Sequence, residues 1–175
     1  AWRTAPSAGE VSLETGGSLS SRAPATGSDL GPSCPAWSTA LIQAAIAQGI
    51  AVEVIPGPSA SLMALVLSGF PTDRFTFEGF LPVKSGPRRK RLETLRDEER
   101  TIIVYESPHR LLKTLAAIEE VLGDIAMSCS RELTKQFEET RRESVSALRA
   151  HFTQHPPRGE FVLVLPPERL RNHGE

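Results

Sequence analysis

Four groups of residues in this chain have the types and spacing to handle a polar or phosphorylated ligand. The first is Pro56, Gly57, Pro58, Ser59 and Ala60, which follow a short β-branched run and precede an apolar one. Strand, glycine turn and helix N-terminus in that order present free backbone N–H groups to a ligand. Gly57 is expected to adopt angles closed to other residues and to admit a ligand closely. The Ser59 hydroxyl is expected to cap the helix. An ordinary strand-to-helix turn has the same composition.

The second group runs from Tyr105 through Glu106, Ser107, Pro108 and His109 to Arg110, directly after the apolar run TIIVY. Glu106 and Ser107 fall at the carboxyl end of that run, where open α/β sheets gather their ligands. His109, with an ordinary pKa of about 6.5, suits a general base; a histidine that merely packs in a first turn reads the same way. The third group is Arg131, Glu132, Leu133 and Lys135, again just past a strand signal. Arg131 and Glu132 either bind a polar ligand or pair with each other. The fourth is Lys84, Arg88, Arg89, Lys90 and Arg91, with Gly86 and Pro87 among them. Such a cluster suits a loop that grips phosphates, or a solvated basic helix start. Cations at a helix N-terminus oppose the macrodipole, which favours a phosphate partner.

These groups need elements to position them. Leu41, Ile42, Ala45 and Ile46 mark one face of a helix that Gly49 stops. A strand is expected over 51–55, then a helix over 59–68 that is apolar nearly all round and so buried. FTFEGF predicts a strand with Phe75 and Phe77 on one face, and Leu92 and Leu95 seed a short charged helix. After the strand 101–105, the stripe Leu111, Leu112, Leu115, Ile118 and Leu122 predicts a helix closed by Gly123. Strands follow over 125–130, 138–145 and 161–165, with a helix over 146–152 before the last. This alternation argues for an α/β or α+β layered domain with a mostly buried sheet.

Composition bounds the rest. At 175 residues and net charge −1 the chain is one domain or slightly more and is no globally basic nucleic-acid binder. Cys34 and Cys129 match no metal or redox spacing; no metal is expected, and both read as structural thiols in a reducing cytoplasm. No apolar run approaches the roughly 18 residues that span a membrane, so no membrane partner is expected. With no signal peptide visible and alanine first, the chain reads as cytoplasmic with its natural start upstream. About two-thirds of residues 1–37 are Ala, Gly, Ser, Thr or Pro, without apolar periodicity; disorder is expected there, with Trp2 and Trp37 as loose anchors. The expected divisions are therefore 1–37 of low complexity, 38–50 as a helix from a truncated N-terminal domain, 51–167 as a C-terminal α/β domain, and a tail over 168–175.

Taken in order, PGPSA (56–60), GFPTDRFTFEGFLP (69–82), a lysine followed by clustered arginines, YESPHR (105–110), RELTK (131–135) and RGEFVLVL (158–165) closely resemble the ribosomal RNA small subunit methyltransferase I family. These are S-adenosylmethionine-dependent ribose 2′-O-methyltransferases of the tetrapyrrole methylase superfamily, and the resemblance covers roughly residues 38–166. It implies a two-domain α/β protein with the cofactor in the cleft between domains. This chain resembles the C-terminal domain, which implies an α/β fold with a mixed sheet flanked by helices, with the N-terminal domain largely missing. By resemblance, Pro56, Gly57, Pro58, Ser59, Ala60, Tyr105, Glu106, Ser107, Arg131, Glu132, Leu133 and Gly159 bind S-adenosyl-L-methionine. Lys84, Arg88, Arg89, Lys90 and Arg91 resemble the RNA-contacting region, which implies small-subunit ribosomal RNA or the subunit itself as partner. A homodimer is implied as well.

Two departures stand out. Where the family carries a segment of the type SDAGTPGISDPG, the other wall of its cofactor site, this chain reads SSRAPATGSDLGPSCPAWS. A shifted reading frame or a badly called gene before about residue 38 is the expectation. Glu143 stands where the family has a glycine, and is expected to tighten or displace a turn. A base near the ribose hydroxyl would make that poor nucleophile reactive. Glu106, His109, Glu132 and Lys135 are candidates, and neither spacing nor resemblance selects one. The alternatives to an RNA ribose methyltransferase are a small-molecule, tetrapyrrole-type methyltransferase and a non-catalytic truncated RNA-binding fragment.

Overall fold

A computed structural model describes residues 36–171. The expectations placed on residues 1–35, on the Trp37 side chain and on 172–175 lie outside the described residues. In chain order the elements are α1 (Ala36–Ala47), α2 (Ala60–Ser68), β1 (Phe75–Phe80), α3 (Ser85–Thr94), β2 (Thr101–Glu106), α4 (Leu111–Leu122), β3 (Ala126–Arg131), β4 (Glu139–Ser144), α5 (Val145–Gln154), β5 (Phe161–Leu165) and α6 (Glu168–Arg171).

The five strands form one mixed sheet in the order β1-β2-β5-β3-β4. β1 and β2 are parallel; the β2–β5, β5–β3 and β3–β4 pairs are antiparallel. β5 is the middle strand and is buried along its whole length, which is why FVLVL is continuously apolar rather than alternating. One face of the sheet presents Ile102, Val104, Cys129, Phe161, Leu163 and Leu165 to Leu92 of α3, Leu111, Leu115 and Ile118 of α4, and Leu148 and Phe152 of α5. The other presents Ile103, Val162 and Val164 to Ala64 and Leu65 of α2. The result is three layers around one sheet, as the alternation of strand and helix signals requires.

Local chemistry sets the ends of the elements. Gly49 (φ +70°) closes α1, with Ile50 N–H reaching Ala45 O at 2.9 Å and Gly49 N–H reaching Ile46 O at 3.0 Å, the Schellman pattern. Gly123 caps α4, its N–H 3.0 Å from Glu119 O. Ser144 caps α5 by accepting the Ala147 N–H at 3.3 Å. Arg171 of α6 donates to Pro166 O, Leu95 O and Arg96 O, docking the last turn on the α3 end.

Several expectations are corrected. Residues 51–55 form no strand: they lie exposed, with Val54 and Ile55 at 85% and 92% of full accessibility. A β-branched run fits a strand only where a neighbouring strand can satisfy its backbone, and none among the described residues pairs with it. α2 is not buried all round; Ala64, Leu65 and Ser68 are inside while Leu62 and Val66 face out. The apolar stripe of α1 is likewise exposed at Leu41, Ile42 and Ile46. Glu143 occupies no turn. It sits in β4 opposite Met127 and pairs with Arg141 at 2.7 Å.

Candidate functional site

Strand register brings the separated motifs together. Glu106 at the end of β2 lies opposite Phe161 at the start of β5; Phe161 is opposite Arg131 at the end of β3, and Arg131 opposite Glu139. Tyr105, Glu106 and Ser107, Arg131, Glu132 and Leu133, and Gly159 therefore converge on one end of the sheet. Phe80, opposite Tyr105, adds the end of β1. α2 is pinned at its far end, where Arg142 of β4 donates from Nε (2.7 Å) and Nη2 to Leu67 O. From there the helix runs back over the sheet, and Leu133 joins the apolar cluster that Ala64 and Leu65 form with β2 and β5. Ser59 holds the N-cap position with extended angles but caps nothing: its hydroxyl lies 2.8 Å from Ser61 Oγ. Gly57 has no positive φ, and a Cβ added to it would meet nothing within 4 Å. Neither property expected of that turn is used here, and its first N–H groups remain without a side-chain cap.

Alternation along β2 sends Tyr105 and Glu106 to opposite faces. Glu106 points into the α3–α4 layer with no side-chain exposure. Its Oε1 accepts the Ser107 N–H at 2.8 Å and its Oε2 the Thr114 hydroxyl at 2.6 Å. Arg110 Nε lies 3.3 Å from Oε1, too poorly aligned for a hydrogen bond, and Arg110 Nη2 donates to Leu81 O. This buried network ties the β2–α4 corner to the end of β1, so Glu106 has no face open to a substrate. His109 is exposed in the turn before α4.

Tyr105 points to the α2 face. Its ring is met edge-on by Phe77 (centroids 4.9 Å apart) and Phe80 (5.9 Å). A bulge at Glu78, beside Gly79 with φ +63°, moves Phe80 onto the face of Phe77. Neither phenylalanine was among the expected site residues. The glycine inside the FTFEGF strand pattern was the readable signal of a bulge. On the same face, Ser130 and Thr140 share a hydrogen bond of 2.9 Å in the row that contains Tyr105 and Val162.

Past β3 the chain makes an unusual turn. Glu132 (φ +50°) and Thr134 (φ +66°) are left-handed without being glycine. Glu132 Oε1 accepts the Glu160 N–H at 3.1 Å and the Lys135 ammonium at 3.0 Å, while Glu132 N–H donates to Glu160 O at 3.2 Å. The ammonium, followed by the backbone donor, holds this carboxyl below the usual range. Arg131 pairs with Glu139 at 2.6 Å, not with Glu132, and holds the Glu139 carboxyl down in turn.

The basic cluster is helical rather than a loop. Lys84 is the N-cap of α3, and Gly86 and Pro87 lie within its first turn, where proline removes no helical hydrogen bond. Arg88 is only 6% exposed, with Nη1 3.4 Å from Val83 O and Nε without a partner. Its burial overturns its expected role as a phosphate contact. Arg89 pairs with Glu93 (3.3 Å) and Glu120 (2.5 Å), and Arg91 with Glu78 (2.6 Å). Lys84 and Lys90 are exposed. Among the described residues, no group of three or more His, Cys, Asp or Glu could hold a metal, and no helix is long and apolar enough to cross a membrane.

The site is thus a mixed five-stranded sheet with polar loops gathered at one end, beneath the α2 layer. The sequence profile of the Tetrapyrrole (Corrin/Porphyrin) Methylases matches residues 32–149, and the chain belongs to that family. It is 50% identical over 119 residues to Ribosomal RNA small subunit methyltransferase I of Erythrobacter litoralis, covering 67% of this chain and 42% of that protein. Proteins of the same name from a Synechocystis strain (47%; 71% and 45% covered) and Thermotoga maritima (44%; 71% and 56% covered) are similarly close. The chain thus spans about half the length of these relatives. The solved structure of the methyltransferase CobJ shares the fold, with a TM-score of 0.52 at 20% identity over 77% of this chain and 60% of that one.

Proposed function

We propose that this chain forms the C-terminal part of an S-adenosylmethionine-dependent ribose 2′-O-methyltransferase acting on small-subunit ribosomal RNA in the cytoplasm. The convergence of the three motif clusters on one end of the sheet carries the reading. The residues present fit the cofactor: Tyr105 and Leu133 offer apolar surface, and the uncapped start of α2 offers backbone donors. Pro56 to Ala60, Tyr105, Ser107, Arg131, Leu133 and Gly159 would line its pocket. When bound, the cofactor supplies an electrophilic methyl group, and the protein's task is to align the ribose hydroxyl with it.

The RNA contact falls to Lys84, Arg89, Lys90 and Arg91 on the exposed side of α3, where the ion pairs of Arg89 and Arg91 are at the surface and weak, while Arg88 is buried. Among the base candidates Glu106 is internal, and Glu132 and Lys135 hold each other in an ion pair that keeps the ammonium protonated, which leaves His109. A homodimer is also part of this proposal; exposed Leu41, Ile46, Val54, Ile55, Leu62 and Val66 supply apolar surface for one.

The activity test uses methyl-labelled cofactor and unmethylated small subunits. A 2′-O-methyl group removes the nucleophile of alkaline RNA cleavage, so the expected label sits in an alkali-resistant dinucleotide. Label on a base, or only on a tetrapyrrole offered in competition, would sink the ribose reading. Cofactor binding without any transfer would favour the non-catalytic fragment.

A further inference from the structure

We infer that Glu132 is a positioning residue, which with Gly159 forms a latch that fixes the turn after β3 and sets Leu133 against the α2 face. The consequence for cofactor binding rests on the reading under Proposed function; the latch itself does not.

Glu132 and Thr134 are the non-glycine residues with positive φ among those described. Left-handed angles are unfavourable for an ordinary residue, and more so for a β-branched one such as Thr134. Two such residues flanking one leucine persist only where the surroundings over-determine them. Those surroundings are visible. Glu132 and Glu160 exchange hydrogen bonds, backbone to backbone at 3.2 Å and backbone to carboxylate at 3.1 Å. Lys135 bridges the Glu132 and Glu160 carboxylates at 3.0 and 3.4 Å, and its own N–H returns to Glu132 O at 2.9 Å. The Thr134 N–H is taken by Glu138 Oε2 at 2.7 Å.

Gly159 closes the latch from the other side. A Cβ built there would lie 2.3 Å from Glu132 Oε1, 2.5 Å from Cδ and 2.6 Å from Cγ. The glutamate side chain therefore lies directly on the glycine, and any larger residue displaces it. Gly159 itself has φ +86°, a second reason for glycine. Gly159, expected at the cofactor pocket, also makes room for a side chain. With both left-handed residues held, Leu133 turns inward to the cluster of Ala64, Leu65, Val162 and Val164. The latch thus joins the end of β3 and the start of β5 to α2, the three elements that converge on the candidate pocket.

The test compares the 175-residue chain with Gly159→Ala, Lys135→Met and Glu132→Gln. Amide exchange at Glu160 and Thr134 reads the latch, S-adenosylhomocysteine affinity its consequence, and thermal unfolding the global fold. Gly159→Ala is expected to speed Glu160 exchange by about tenfold or more through local opening. It is also expected to weaken S-adenosylhomocysteine by about tenfold, because the pocket wall is no longer pre-organised. Lys135→Met shifts both readouts the same way by less, and the unfolding midpoint stays near that of the parent. A loss of fold stability alone, with exchange and affinity moving only in proportion, would overturn the latch. Should Gly159→Ala fail to fold, unchanged Glu160 exchange in both Lys135→Met and Glu132→Gln overturns it equally. A parent chain that binds no S-adenosylhomocysteine refutes the cofactor reading for this chain, while amide exchange still decides the latch.

Discussion

Glu106 shows how a residue with the chemistry of a base can be assigned a different role by its surroundings. Two hydrogen-bond donors and the Arg110 guanidinium surround a carboxylate that has no exposure, so its charge is compensated but unreachable. Glu106→Ala would leave the Arg110 guanidinium without its counter-ion, and breaking a buried pair from one side costs about 3–5 kcal/mol. Urea unfolding should show a loss of that size. A stable variant that lost only activity would restore Glu106 as a catalytic candidate. Cys129 tests burial more directly. Its thiol is inside the α4–α5 layer and burial pushes its pKa up, so alkylation at pH 8 should modify its peptide only after denaturation. Rapid labelling of native protein would contradict the packing described for β3.

At the scale of elements, α3 combines a structural and a binding assignment. Replacing Lys84 and Lys90 with alanine should weaken RNA binding across sequences and lower the slope of log K against log salt by about 1–2. An unchanged slope would remove α3 from the RNA interface. Arg88→Ala, by contrast, should lower stability, since its aliphatic stem is packed. Legibility of these elements depended on whether one local signal sufficed. The α4 stripe and the wholly apolar β5 were readable because burial on one or both faces dictates their pattern directly. The basic cluster was legible only as a loop or a helix start, because Gly86 and Pro87 are loop signals that a first helical turn also accepts. Residues 51–55 misled for the opposite reason: strand composition is local, but a strand's partner is not. The convergence of Glu106, Arg131 and Gly159 was anticipated from resemblance. The latch was not, because a left-handed glutamate and its glycine lie 27 residues apart and only strand register joins them.

For the whole molecule, charge and exposed apolar surface set the behaviour. Arg100 beside Glu98 holds that carboxyl down at about 2. Ser146 does the same for Asp124, Lys135 for Glu132 and Arg131 for Glu139, each to below its usual value. Groups whose folded pKa is depressed add stability above their unfolded value and lose it as pH falls. The thermal midpoint should therefore hold steady from neutral pH to about 5 and then fall progressively toward pH 2. A midpoint flat across that window would contradict the ion pairs described. The central claim is that one end of this sheet forms a cofactor wall. Calorimetric titration of S-adenosylhomocysteine into the 175-residue chain, alongside a full-length relative, tests it most directly. The account predicts binding to both that is weakened in each by replacing the glycine equivalent to Gly159. Binding to the relative that ignores that glycine, with none to this chain, would contradict it.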